Sequence, residues 1–290
     1  MNLLQFLGTL ELGLIYGLVA IGVYLTSRVI NFPDLTVDGS FPLGAAVAAA
    51  LIVDGMNPWL ASLFAFLSGA ISGCITGYLN VRWKIMGLLA GILTMTGLYS
   101  INLRIMGRPN ISLLNEETIF TQIFGSFWIL IIICLILVIA VVFFLNTQIG
   151  LAIRATGANS KFASAQGVRT GWMIVLNLAL SNGIVALAGA LFAQAQGFAD
   201  ISAGAGTLVV GLASLIIGES IFRTRNLSLI IIGCLTGSII YRLAIAFALN
   251  TEFLGLKAAD LKLITAVLIG ITMILPKLKE EILSRRKIRI

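Results

Sequence analysis

Residues 150–172 read GLAIRATGANSKFASAQGVRTGW, and they lie between two long apolar runs. The stretch carries Arg154, Lys161 and Arg169 together with Asn159, Ser160, Ser164 and Gln166, so it cannot sit in hydrocarbon. It is not an ordinary loop either. Ala155, Ala158, Phe162, Ala165 and Val168 recur at spacings of 3, 4, 3 and 3, which predicts one helix with an apolar stripe and a basic, polar opposite face. Gly157 and Gly167 are read as its start and stop signals. A polar amphipathic helix between apolar runs poses the question of what docks on it.

The rest of the chain sets the solvent. Of its 290 residues 59% are hydrophobic and 11% charged, with a mean hydropathy of +1.06. That is too apolar for one soluble core, and the expected class is an integral membrane protein. The net charge of +7 does not point to nucleic acid, because the basic residues fall in short clusters between apolar runs rather than along one face. There is no histidine, and Cys74, Cys134 and Cys234 each lie inside an apolar run. Metal sites of the usual Cys and His spacing and structural disulfides are therefore not expected. The N-terminus has no basic n-region or A-x-A-like cleavage site, so its first apolar run is read as a retained span.

A helix needs roughly 20 residues to cross the hydrocarbon layer. Candidate runs occupy 3–26, 39–54, 58–80, 86–103, 125–146, 172–196, 206–222, 227–248 and 261–276. The expected fold is an all-α polytopic membrane protein of about nine transmembrane helices. The second and seventh runs are short and glycine-rich, as interrupted or re-entrant helices are. Placing the N-terminus outside collects 14 of the 19 Lys and Arg on the inner side, so the positive-inside rule favours N-out and C-in. Residues 150–172 then become cytoplasmic. Residues 1–276 form the transmembrane domain, and 277–290 a basic cytoplasmic tail at anionic lipid.

No G-x-x-x-x-G-K-[ST] motif occurs, so no nucleotide is bound by a P-loop. Hydrolase and metalloprotease motifs are lacking too, and Glu11 and Glu219 are not spaced as a catalytic pair. No catalytic residue, metal site or cofactor is assigned to this chain. The candidates concern a pathway instead. In VINFPDLTVDGSFPLGAAVAAA, Pro33 and Pro42 restrict the residues before them, Asp34 or Asp38 can cap the next helix, and Asn31, Phe32, Thr36 and Ser40 stand close by. Two readings stay open: a capped, tightly packed hairpin, or a broken element whose backbone dipoles line a pathway. Thr94, Thr96, Tyr99, Ser100 and Asn102 make the fourth run wetter than packing requires. Glu11 and Arg242 sit at similar depths, roughly 9–12 Å below the outer boundary at 1.5 Å per residue. They could pair or share a vestibule, or Arg242 could snorkel while Glu11 caps or is protonated. Glycine and alanine at helical spacing, at 69, 70, 73 and 77 and again at 183, 186, 189 and 190, allow close backbone approach.

Two stretches together resemble a known family. LGLIYGLVAIGVYLTSRVINFPDLTVDGSFPLGAAVAA is similar to the first hairpin of the permease subunits of branched-chain amino-acid ABC transporters, through Tyr16, Gly17, Ala20, Ile21, Gly22, Asn31 and Phe32. RATGANSKFASAQGVRTGW and the following LSNGIVALAGALFAQAQG resemble that family's cytoplasmic coupling segment and the span behind it. Arg154, Ala155, Gly157, Asn159, Ala163, Gly167, Ser181, Ala186, Leu187, Ala188 and Gly189 carry this match. The resemblance implies a permease in the bacterial inner membrane, paired with a second permease chain, a homodimer being favoured. It further implies two cytoplasmic ATPases holding ATP and Mg, and an extracytoplasmic binding protein delivering a small solute. The coupling residues would be Arg154, Ala155, Gly157, Asn159, Ala163 and Gly167. Pro33-Asp34-Leu35 stands where the family usually has Ala-His-Gly, so branched-chain specificity is not carried over; an amino acid or related solute is expected. The alternative from another class is a self-sufficient ion-coupled transporter or channel using Glu11 and Arg242.

Overall fold

The computed structural model describes residues 2–122, 126–222, 224, 226–250, 267 and 270. The ninth expected run lies outside them apart from two isolated positions, as does the basic tail. Seven helices are long and apolar enough to span a membrane, and Val37–Val53 is a shorter apolar one. The eight fall on the first eight expected runs.

The chain opens with α1 (Leu3–Tyr24), continued by one π-helical turn, Leu25–Val29. Next come α2 (Val37–Val53), α3 (Pro58–Trp83) and α4 (Gly87–Met106), then β1 (Asn110–Ser112), α5 (Ile119–Gln122) and α6 (Ser126–Asn146). The polar segment folds as α7 (Gln148–Ala158) and α8 (Ser160–Ala165). It leads into α9 (Thr170–Gln196), β2 (Phe198–Asp200), a 3-10 turn Ile201–Gly204, α10 (Thr207–Ile221) and α11 (Leu227–Asn250). The two strands pair antiparallel, Ile111 opposite Ala199. They mark one end of the molecule, and α7 with α8 marks the other.

Local chemistry sets the helix limits. Asn57 accepts a hydrogen bond from the Trp59 amide ahead of Pro58 at the first helical position of α3, where a missing N–H costs nothing. α9 stops at Gly197, in the left-handed region at φ 74°. The π turn widens α1 where Thr26 and Ser27 hydroxyls donate to the Val23 carbonyl at 3.1 and 2.6 Å, a competition that loosens the regular ladder. From α9, Asn177 donates to the Leu25 carbonyl (2.8 Å) and Ser181 to that of Gly22 (2.7 Å).

α9 is the central post, packed on α1, α2 and α3. The small residues make that possible. A Cβ on Gly73 would strike the Leu178 carbonyl of α9, and one on Gly44 of α2 would strike the Ala186 carbonyl. α6, by contrast, turns Trp128, Ile132, Leu135, Ile136, Ile139 and Phe143 outward, as a lipid-facing helix does.

Two of the helices, α2 and α10, are shorter than their neighbours. α10 spans 15 residues, about 22 Å at 1.5 Å per residue, against 27 residues for α9. α2 starts after the chain has turned at Asn31, which holds φ 53°. The second element is short, as expected; the seventh, taken with its 3-10 turn as Ile201–Ile221, is long and apolar enough to cross a membrane.

The expected single helix in 150–172 does not. The backbone breaks at Asn159 (φ −158°, ψ 95°), whose side chain accepts from the Phe162 amide at 3.0 Å and caps α8. An Asn that can bond a nearby amide favours a cap over a helix interior. Gly157 is therefore inside α7 rather than its start, while Gly167 at φ 84° does end the segment.

Candidate translocation and coupling site

The polar residues of the first hairpin are pulled into a buried spine. Asp34 accepts from the Thr36 amide (2.9 Å) and from Asn182 Nδ2 (2.8 Å). Ser40 donates to Asn182 Oδ1 (2.8 Å) and meets Ser72 at 2.8 Å. Thr36 meets Thr76 at 2.7 Å, and Thr76 donates to Thr94 at 2.9 Å. All seven residues are buried, so each polar atom needs a partner from within the protein. Asn182 is the junction, bonding two elements at once. Replacing Asn182 by Leu removes the donor to Asp34 and the acceptor of Ser40, at about 1–3 kcal/mol for each group left unsatisfied. A lower thermal midpoint in detergent is expected, with partial recovery when Asp34→Asn is added; equal midpoints in all three proteins would show the spine to be inert.

Asp38 does different work. Its carboxylate accepts from the Gly206 amide (3.1 Å) and the Leu208 amide (2.7 Å), so a residue of α2 caps the N-terminus of α10, where a negative group is favoured. Next to this junction lies a cavity of about 540 Å³, walled by Asp38, Pro42, Thr96, Tyr99, Asn102, Ser202 and Gly206 among others. Asn102 is 1% exposed, and its Oδ1 has no hydrogen-bond partner among the described residues. Asn102 lies 15 residues along α4 from its start, about 22 Å, so the cavity is set at the level where α2 and α10 begin. Above it Asp200 accepts from Ser202 and Asn110, and the Ser202 hydroxyl first among these holds its carboxyl below the usual range.

The remaining pathway candidates are scattered. Asn31 is exposed, and the ring of Phe32 covers Gly87 at the start of α4; both lie toward the α7 end. Glu11 lines a second cavity of about 350 Å³ with Thr118, Thr121 and Gln194. The guanidinium carbon of Arg242 lies 3.9 Å from the centroid of the Tyr16 ring, a cation–π contact. Asp34, Thr36 and Thr94 thus belong to the spine, and Asp38 and Thr96 to the cavity.

The polar segment divides in two by exposure. Arg154 is half-buried, while Ala155, Asn159 and Gly167 are exposed. Phe162 is 62% exposed. Gly157 and Ala163 face inward. A Cβ on Gly157 would run into the Val29 carbonyl of the π turn, and Ala163 is 2% exposed. These two support the segment rather than offer it to a partner. The predicted stripe is half right: Ala155, Ala158, Phe162 and Ala165 form an outward face, and Ile153, Thr156 and Ala163 the buried one.

The ion pair Arg28–Glu219 was hidden from sequence reading. Arg28 Nε and Nη2 donate to the two carboxylate oxygens of Glu219 at 2.8 and 2.6 Å. The two are 191 residues apart, and no local pattern joins them. Asn182 and Gln194, which bonds Ser62 and the Ile119 amide, were missed for the same reason.

A kinked polar elbow thus marks one end of the molecule, and a cavity lies where α2 and α10 begin. Across residues 5–275 the sequence matches the family described as branched-chain amino acid transport system / permease component. The chain belongs to this permease family. It is similar to a tyrosine transport system permease protein of Clostridioides difficile, 40% identical over 256 residues, covering 88% of this chain and 86% of that one. A Rickettsia prowazekii protein is 37% identical over 279 residues, covering 94% and 97%. Among solved structures, PsaBC from Streptococcus pneumoniae in complex with Fab superposes with a TM-score of 0.55 at 13% identity, over 92% of this chain and 89% of that one. At that identity the likeness concerns the fold alone. The permease is accordingly a multi-pass membrane protein and the transmembrane subunit of an ABC importer. Membership sets aside the self-sufficient ion-coupled transporter.

Proposed function

We propose that the permease forms the pathway for an amino acid or a related compound, working as a pair of identical chains with two cytoplasmic ATPases and an extracytoplasmic binding protein. The observation that carries this reading is the α7–α8 elbow: its outward face is apolar at Ala155 and Phe162, while its inward face is fixed to the π turn of α1 through Gly157. Such a surface suits the groove of an ATPase, whose closure would rock the helices between states. ATP and Mg then belong to the partner. The elbow faces the cytoplasm of a bacterial cell, with the N-terminus outside and the C-terminus inside, and the β1–β2 end receives the binding protein. The cavity of about 540 Å³ has room for an aromatic amino acid, and the likeness to a tyrosine permease makes tyrosine the first solute to try.

The test is reconstitution in liposomes with the ATPase that purifies alongside. Uptake of labelled tyrosine and of a panel of other amino acids is measured with ATP present on the elbow side. ATP-dependent uptake of at least one of them is expected. Uptake without the ATPase under an ion gradient, or none with the complete complex, would refute the proposal.

A further inference from the structure

Between the elbow and the cavity stands α10, and it is fastened at both ends by side chains from the first hairpin. At its N-terminus, the amides of Gly206 and Leu208 donate to Asp38. In its last turn, Glu219 receives both bonds of Arg28. Arg28 is itself part of the π turn, against whose Val29 carbonyl Gly157 of α7 is seated. Single π turns inside α-helices are rare and are frequently found at functional sites.

Resting on the importer reading above, we infer that Arg28 and Glu219 are positioning residues that pass displacement of the elbow to α10 and, through Asp38, to the wall of the cavity. The pair is not an anchor of the fold. It is partly exposed, with Arg28 52% and Glu219 31% accessible, and such pairs contribute little to stability. Its geometry is another matter, because a two-point guanidinium–carboxylate bond fixes direction as well as distance. A shift at Val29 therefore moves Glu219 with it, and a rigid helix carries that shift to Gly206 at the cavity.

The experiment uses the permease with its ATPase in membranes, its three native cysteines replaced by alanine or serine, and a reporter at Ala205→Cys, which lines the cavity. The rate of labelling by an impermeant maleimide is measured with and without ATP and vanadate. The parent is expected to change rate at least about fivefold, the lower bound of ordinary coupling between sites. Glu219→Gln and Arg28→Gln should each reduce the response to below about twofold, with thermal midpoint and ATPase retention unchanged. The swap Arg28→Glu with Glu219→Arg should restore it, which a merely structural role would not require. A full response in both single variants overturns the inference. If the parent itself does not respond although the ATPase is bound, the importer reading fails and the inference with it.

Discussion

The permease with Phe162→Asp is expected to fold and insert normally and to lose its ATPase. Phe162 leaves 62% of its surface open on a helix of six residues capped by Asn159, so the ring is not part of the core of the described residues. Aromatic anchors at interfaces typically contribute 2–4 kcal/mol, which converts to roughly 30- to 1,000-fold in affinity. Mild-detergent purification should therefore lose the co-purifying ATPase almost completely. ATP-dependent uptake should vanish while the thermal midpoint of the permease holds. Phe162→Leu should retain most of both. Stoichiometric ATPase on Phe162→Asp would remove the elbow from the coupling role. Gly157→Trp and Ala163→Arg, in the same segment, are poorer probes. One would push α7 off the Val29 carbonyl and the other would bury a guanidinium, so each confounds docking with damage to the fold.

Gly44→Val should sharply lower the yield of folded permease. The new Cβ would occupy the position of the Ala186 carbonyl, and α2 would have to withdraw from α9 along its length. The same contact aligns Gly189 with the Phe41 carbonyl and places Ser40 against Asn182, so withdrawal breaks packing and spine together. Overpacking alone costs about 1–3 kcal/mol, and the lost bonds add roughly 1–3 more. Against a typical total of about 5–15 kcal/mol, this approaches the limit of stability. Gly97→Ala serves as the control: no atom lies within 4 Å of the added carbon. There the substitution should leave expression unchanged or raise it, since glycine inside a helix costs about 0.5–1 kcal/mol relative to alanine. Equal yields of Gly44→Val and the parent would contradict the packing described for α2 and α9.

What the sequence made legible follows the range of each signal. Apolar length is local, and it located eight spans to within a few residues, including the two short ones. Small residues at 69, 73, 183 and 189 announced close approach without naming the partner, which needed the fold. The elbow was found by polarity between apolar runs, yet its break at Asn159 was missed: the 3-and-4 spacing continues through a cap, and only the competition of an Asn side chain for the Phe162 amide ends the helix. Depth counting placed Glu11 and Arg242 at one level, but the contact of Arg242 with Tyr16 follows from how α1 packs on α11, which no window of sequence shows. Asn182 and the Arg28–Glu219 pair lay beyond any window, because their partners are 148 and 191 residues away.

The way α4 is built separates inheritance from novelty. Thr96 and Tyr99 stand on its open side and wall the cavity, whereas Gly91 and Leu98 hold its other side to the first hairpin. Under the pathway proposed above, substitutions at the first two positions are expected to change what the cavity accepts and to leave the joints of the bundle untouched. On that reading a lineage carrying this scaffold shifts its diet in single steps, each folding as well as the last.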